Sequence, residues 1–153
     1  MTRDEWNQVE QQLRRQFDPV YLDVDGYLVR LMLQRVGEMK LGISVYVDGL
    51  FQPKELMRDD ETGAWPEISR RFYQLRERRM YSPKKVREFE RKYGKKWARQ
   101  FGLYKTYQYR MPYWQSAKSL RRHFVRENRE IVWLSYEEYS ARLEEKRRRG
   151  EVA

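Results

Sequence analysis

A chain of 153 residues is the length of one ordinary domain, and 40% hydrophobic with 15% aromatic content is enough to fill a core despite 37% charged residues. It holds no cysteine, which rules out disulfides, thiolate zinc sites and thiol nucleophiles. No apolar run approaches the ~20 residues of a membrane span, and the opening Met1-Thr2-Arg3-Asp4-Glu5 lacks the apolar stretch of a secretory signal, so the expected location is the cytoplasm.

Residues 2–17 read as a helix. Thr2 and Glu5 have capping-box spacing, and Trp6, Val9, Leu13 and Phe17 recur at helical intervals. Residues 20–53 read as an antiparallel meander. Val20 to Val24 is the first strand, Asp25-Gly26 signals a type I′ turn, and Tyr27 to Val36 is a longer strand. After a turn at Gly37-Glu38-Met39, Leu41, Ile43, Val45 and Val47 alternate with Gly42, Ser44, Tyr46 and Asp48, one face in and one out. Asp48-Gly49 repeats the turn signal before a short strand, Leu50 to Gln52.

Residues 57–65 read as a polar loop. Pro66 suits a first helical position, and Ile68, Phe72 and Leu75 mark a short amphipathic helix. Ser82-Pro83 starts the next helix as N-cap and N1, with Val86, Phe89, Tyr93 and Trp97 as its inner stripe and a possible break at Gly94. Tyr104 to Met111 reads as a strand ended by Pro112. Ser116 to Asn128 reads as a helix with Ala117, Leu120 and Phe124 inside, Ile131 to Leu134 as a short strand, and Ser135 with Glu138 as the capping box of a terminal helix. The fold class is therefore α+β: an N-terminal helix and antiparallel meander, then a basic, mainly helical region with two further short strands. The expected organisation is one domain, 1–153, in two lobes, a sheet lobe at about 1–56 and a basic helical lobe at about 66–149.

Charge is unevenly placed. Net charge is +10, yet residues 1–65 hold 8 Lys/Arg against 12 Asp/Glu, residues 66–134 hold 20 against 6, and residues 135–153 hold 5 against 5. A basic block beside a mildly acidic one predicts a directed field that attracts polyanions or acidic protein surfaces.

Motifs of catalysis are missing. There is no phosphate-binding loop, dinucleotide fingerprint, nucleophile elbow or H-E-x-x-H. The single histidine, His123, sits beside Arg122 and reads as a surface or boundary residue. Asp25 and Asp48 read as turn residues and Asp59-Asp60-Glu61 as a solvated loop. A magnesium site from Asp23, Asp25 and Asp48 is the weaker alternative. No cofactor and no enzymatic activity are expected.

What remains is basic residues interleaved with aromatics, the pairing that meets phosphates and unstacked bases. Three pieces supply it. The helix from Pro83 offers Lys84, Lys85, Arg87, Arg91, Lys92, Lys95, Lys96 and Arg99. The following segment offers Lys105, Arg110, Tyr113 and Trp114 beside Tyr104, Tyr107 and Tyr109. The helix from Ser116 adds Lys118, Arg121, Arg122 and Arg126. An edge strand of the meander offers a route to a homodimer.

The opening Met1 to Trp6, the hairpin from Asp25-Gly26-Tyr27 to Asp48-Gly49, Met111-Pro112-Tyr113-Trp114 and Ser119 to His123 together resemble small accessory proteins encoded by bacteriophages and prophages. The resemblance covers about half the chain and carries no catalytic motif. It implies a bacterial host cytoplasm and a role in managing phage DNA or blunting host defence. Binding to nucleic acid or to a nucleoprotein complex is the first expectation. Occlusion of a defence complex, as by an anti-CRISPR protein, is the second.

Overall fold

The computed structural model describes residues 1–152 and shows the α+β fold. The chain forms two compact units, one of residues 1–74 with 111–152 and one of residues 75–110.

The larger unit is built on a five-stranded antiparallel sheet of order β6-β3-β2-β1-β7. Its strands are β1 (Val20–Val24), β2 (Tyr27–Gly37), β3 (Lys40–Val47), β6 (Tyr113–Trp114) and β7 (Ile131–Leu134). β1 and β2 pair with Val20 opposite Leu31 and Val24 opposite Tyr27. The Asp25-Gly26 turn between them has φ of 50° and 89°, the positive pair a type I′ turn needs, which a short polar residue and glycine tolerate best. One face of the sheet packs on α1 (Arg3–Gln12), α2 (Glu67–Phe72) and α5 (Ala117–Glu127). There Val20, Leu22, Val24, Val29, Leu31 and Val45 meet Trp6, Val9, Phe72, Leu120 and Phe124. The other face is covered by α6 (Tyr136–Arg148), whose Tyr139 and Leu143 pack on Leu28 and Leu134. Both capping boxes form, Thr2 with Glu5 and Ser135 with Glu138.

Asp25 ties the sheet to two other elements. Its carboxylate accepts from the backbone N–H of Arg129 and Glu130 at 2.9 and 2.8 Å and from the Arg71 guanidinium at 2.9 Å. These donors hold its carboxyl below the usual range, the Arg129 N–H contributing most.

Several sequence expectations are corrected. The first helix stops at Gln12 rather than 17, because Gln16 and the Phe17 N–H pair with Leu33 instead of continuing it. Phe17 is 68% exposed at φ 58° and plays no part in the buried stripe. Leu41, expected inside, is exposed beside the β2–β3 turn, where it lies opposite Arg35. Leu50 to Gln52 forms no strand: Leu50 makes a single bridge to Val47, and Pro53, without an N–H, opens a 3₁₀ turn, Pro53–Leu56. Pro66 is the N-cap of α2 rather than its first residue, and α2 ends at Phe72, so Leu75 lies outside it. His123 is buried, with Nε2 at 2.9 Å from the Arg70 carbonyl oxygen and Nδ1 at 3.1 Å from the Arg126 guanidinium. It shares the inner face of α5 with Leu120 and Phe124.

The smaller unit holds α3 (Pro83–Tyr93) and α4 (Lys95–Gln100) between two paired strands, β4 (Gln74–Arg79) and β5 (Thr106–Met111). β4 and β6 are strands the sequence reading did not foresee. The division also falls elsewhere than the expected lobes: the compact units part at 74/75 and 110/111, not at 57–65. The physical reason is that β6 returns to pair with β3, Ile43 opposite Trp114, which carries α5, β7 and α6 back onto the main sheet.

Candidate nucleic-acid interface

The charge of the molecule follows its two units. Residues 75–110 carry thirteen Lys and Arg against three Glu, while the rest of the chain carries twenty against twenty. The whole net charge of +10 therefore belongs to a unit of 36 residues. Self-repulsion of that size opposes compaction.

Local structure turns these cations outward. The Ser82 hydroxyl accepts from the Lys85 N–H and Pro83 stands in the first turn, so α3 begins where the cap dictates. Val86 is its buried residue, and with Ala98 of α4 and Leu103 it forms a core of three side chains, flanked by half-buried Tyr81, Phe89 and Tyr104. Gly94 breaks the helix as expected. Its φ of 88° suits glycine, and it separates α3 from α4.

With one face of each helix committed to this small core, Lys84, Lys85, Arg87, Arg91 and Lys92 of α3, Lys95, Lys96 and Arg99 of α4, and Lys105 are all exposed. None of these nine forms an ion pair with any described carboxylate. Two of the three glutamates are engaged otherwise, Glu77 by the Thr106 hydroxyl at 2.6 Å and Glu90 by the Tyr104 hydroxyl. Lys85 and Lys92 lie over the rings of Tyr81 and Tyr93, at 5.2 and 5.3 Å from the centroids. Arg110, near the end of β5, is half-buried.

The second half of the expected inner stripe is not inside. Tyr93 is 51% exposed and Trp97 48%, and Phe101, which the stripe did not include, is 62% exposed. The helical spacing that marked Tyr93 and Trp97 as buried runs through Gly94, which resets the helix direction. Arg76, Arg78 and Arg79 add further cations on β4, a strand that alternating charge conceals because hydrophobic periodicity is what reveals strands.

The remaining six predicted site residues belong to the larger unit, and three are committed within it. Trp114 is 4% exposed, and its indole N–H donates to the Phe72 carbonyl at 2.9 Å, so it is a core residue rather than a stacking surface. Arg121 donates to Glu10 at 3.2 Å and to Asn7 at 3.3 Å, clamping α5 to α1. Arg126 pairs with Glu127 at 2.9 Å. Tyr113 is half-buried on β6, and Lys118 and Arg122 are exposed. The predicted interface thus separates into nine exposed cations without an ion pair and the half-buried Arg110 in the smaller unit, and a set of six in the larger unit of which three are structural.

Asp23 is engaged by the Gly26 N–H and Arg142, and Asp48 by the Leu28 N–H and Lys146. No group of three or more His, Asp or Glu side chains among the described residues could hold a metal ion. Burial pushes the Tyr73 phenol up to about 12. No described helix is long and apolar enough to cross a membrane. No protein-family model, curated protein or solved structure matches this chain.

Proposed function

We propose that the protein acts by binding rather than by catalysis, and that residues 75–110 are the module with which it holds nucleic acid, free or within a nucleoprotein complex. The observation that carries this reading is the confinement of the entire net charge to that unit, with nine exposed cations that form no ion pair with any described carboxylate. Such a surface sits in a field that its own chain leaves uncompensated, and a polyphosphate backbone compensates it while releasing counterions. The phage-type accessory role implied by the resemblance fits this as a context. Engagement of Asp23, Asp25 and Asp48 by the chain's own donors supports a non-enzymatic role.

A salt titration followed by fluorescence anisotropy tests the proposal. If about six of the cations each meet a phosphate, affinity for duplex falls roughly 10³-fold between 50 and 200 mM salt. Replacing Lys84, Lys85, Arg91, Lys92, Lys95 and Lys96 with Glu should abolish binding and leave the circular dichroism unchanged. A flat salt dependence, or no binding at low salt, overturns it. The second reading, occlusion of a protein face in a host defence complex, draws on the exposed Trp97 and on Arg99 of the same helix, residue types that dominate protein interfaces. It predicts a stoichiometric complex with the purified defence complex and weak binding to free nucleic acid.

A further inference from the structure

The smaller unit carries a feature that charge alone does not explain. Phe89, Tyr93, Trp97 and Phe101 form a continuous run of rings: Tyr93 to Phe89 at 4.8 Å, Phe89 to Phe101 at 5.9 Å, and Phe101 to Trp97 at 5.6 Å. The last pair is nearly parallel, with 22° between the planes. The three outer rings are about half exposed. They are not filling the core, which Val86, Ala98 and Leu103 occupy. Tyr93 and Trp97 lie on the same helices as the exposed Lys92 and Lys96, and Phe101 is the C-cap of the second.

We propose that Trp97 and Phe101 are a stacking platform for the bases of an unpaired nucleic-acid strand, so that the protein prefers single strands to duplex. This rests on the nucleic-acid reading above. The two rings already touch, so a base adds on the outer face of the pair rather than between them. Because the rings order one another before any ligand arrives, little side-chain freedom is lost on binding. The partner must be both flat and aromatic, to cover the rings, and anionic, to meet the lysines. An unpaired strand presents both along its length, whereas a duplex keeps its base faces stacked inside.

The test compares the intact protein against a labelled poly-thymidine strand, a poly-uridine strand, and a duplex of equal length at one salt concentration. Unpaired strands should bind more than about tenfold tighter than duplex. Replacing Trp97 and Phe101 together with Leu should cost about 10- to 100-fold on the unpaired strand, with duplex affinity held within about twofold because the phosphate contacts are untouched. Trp97→Tyr with Phe101→Tyr should restore most of the loss. Photocrosslinking of the unaltered protein to a strand carrying 5-iodouracil gives a readout independent of variant folding, and crosslinks should map to residues 95–101. Equal affinity for both forms, or crosslinks confined elsewhere, overturns the stacking platform while leaving the charge-based reading standing. Absence of binding to either form at low salt, or binding only to anionic lipid vesicles, overturns both.

Discussion

Asp25 offers the sharpest test of how the larger unit is held together. One carboxylate oxygen accepts from the Glu130 N–H, and the other accepts from the Arg129 N–H and the Arg71 guanidinium. In Asp25→Asn the amide oxygen keeps its place best at the doubly bonded position, which leaves an NH₂ facing the Glu130 N–H. One bond to a charged group is then lost, about 2 kcal/mol. Asp25→Ala loses all three, but truncation lets water reach the exposed Arg129 and Glu130 N–H groups, so each loss falls to about 1 kcal/mol; with about 1 kcal/mol for a residue without a polar side chain at φ 50°, the total is roughly 4 kcal/mol. For a chain of this length each kcal/mol lowers Tm by about 2–4 °C, so Asn should cost about 4–8 °C and Ala about 8–16 °C at neutral pH. The pH dependence follows from the lowered native pKa. The stabilisation is fully present above the unfolded value of about 3.9 and is lost as pH falls through the lower native value. Thermal melts of the three proteins from pH 7 to pH 3 measure this. An Asn variant within about 1 °C of the parent at pH 7 refutes the triple-acceptor account, and so does a gap that stays constant down to pH 3.

Trp114→Phe removes the indole donor to the Phe72 carbonyl and should destabilise the larger unit by about 1–3 kcal/mol by chemical denaturation, yet leave nucleic-acid affinity unchanged. Loss of affinity in the folded variant would return Trp114 to the interface. Val86→Ala removes one of the three buried side chains of the smaller unit and should cost about 2 kcal/mol there. Amide exchange should accelerate within residues 75–110 and hold steady in β1 to β3. An equal loss of protection in both would show that the units open together.

The sheet of the larger unit was readable because its signals are local. Asp25-Gly26 and Asp48-Gly49 announce turns by the φ values they tolerate, and Thr2 with Glu5 and Ser135 with Glu138 announce caps three residues apart. What failed depends on partners distant in the chain. Phe17 keeps helical spacing, but its N–H is taken by Leu33. β6 is two residues long and exists only because β3 offers an edge. Trp114 and Arg121 look like interface residues in a basic stretch until Phe72 and Glu10 are brought beside them.

The charge pattern shows the same limit from the other direction. Counting along the chain places the basic block at 66–134, but that window mixes two different populations of cations. Those in α2, α5 and the turn after α5 return to a unit where acidic and basic residues balance, and Arg71 and Arg121 are spent on Asp25 and Glu10. Those in residues 75–110 have only three glutamates for company and a core of three side chains to hold them together. A unit of that size gains little from burial and works against its own repulsion. Neutralising phosphates would therefore stabilise it as they bind, which couples the strength of the interface to the folding of the unit that carries it.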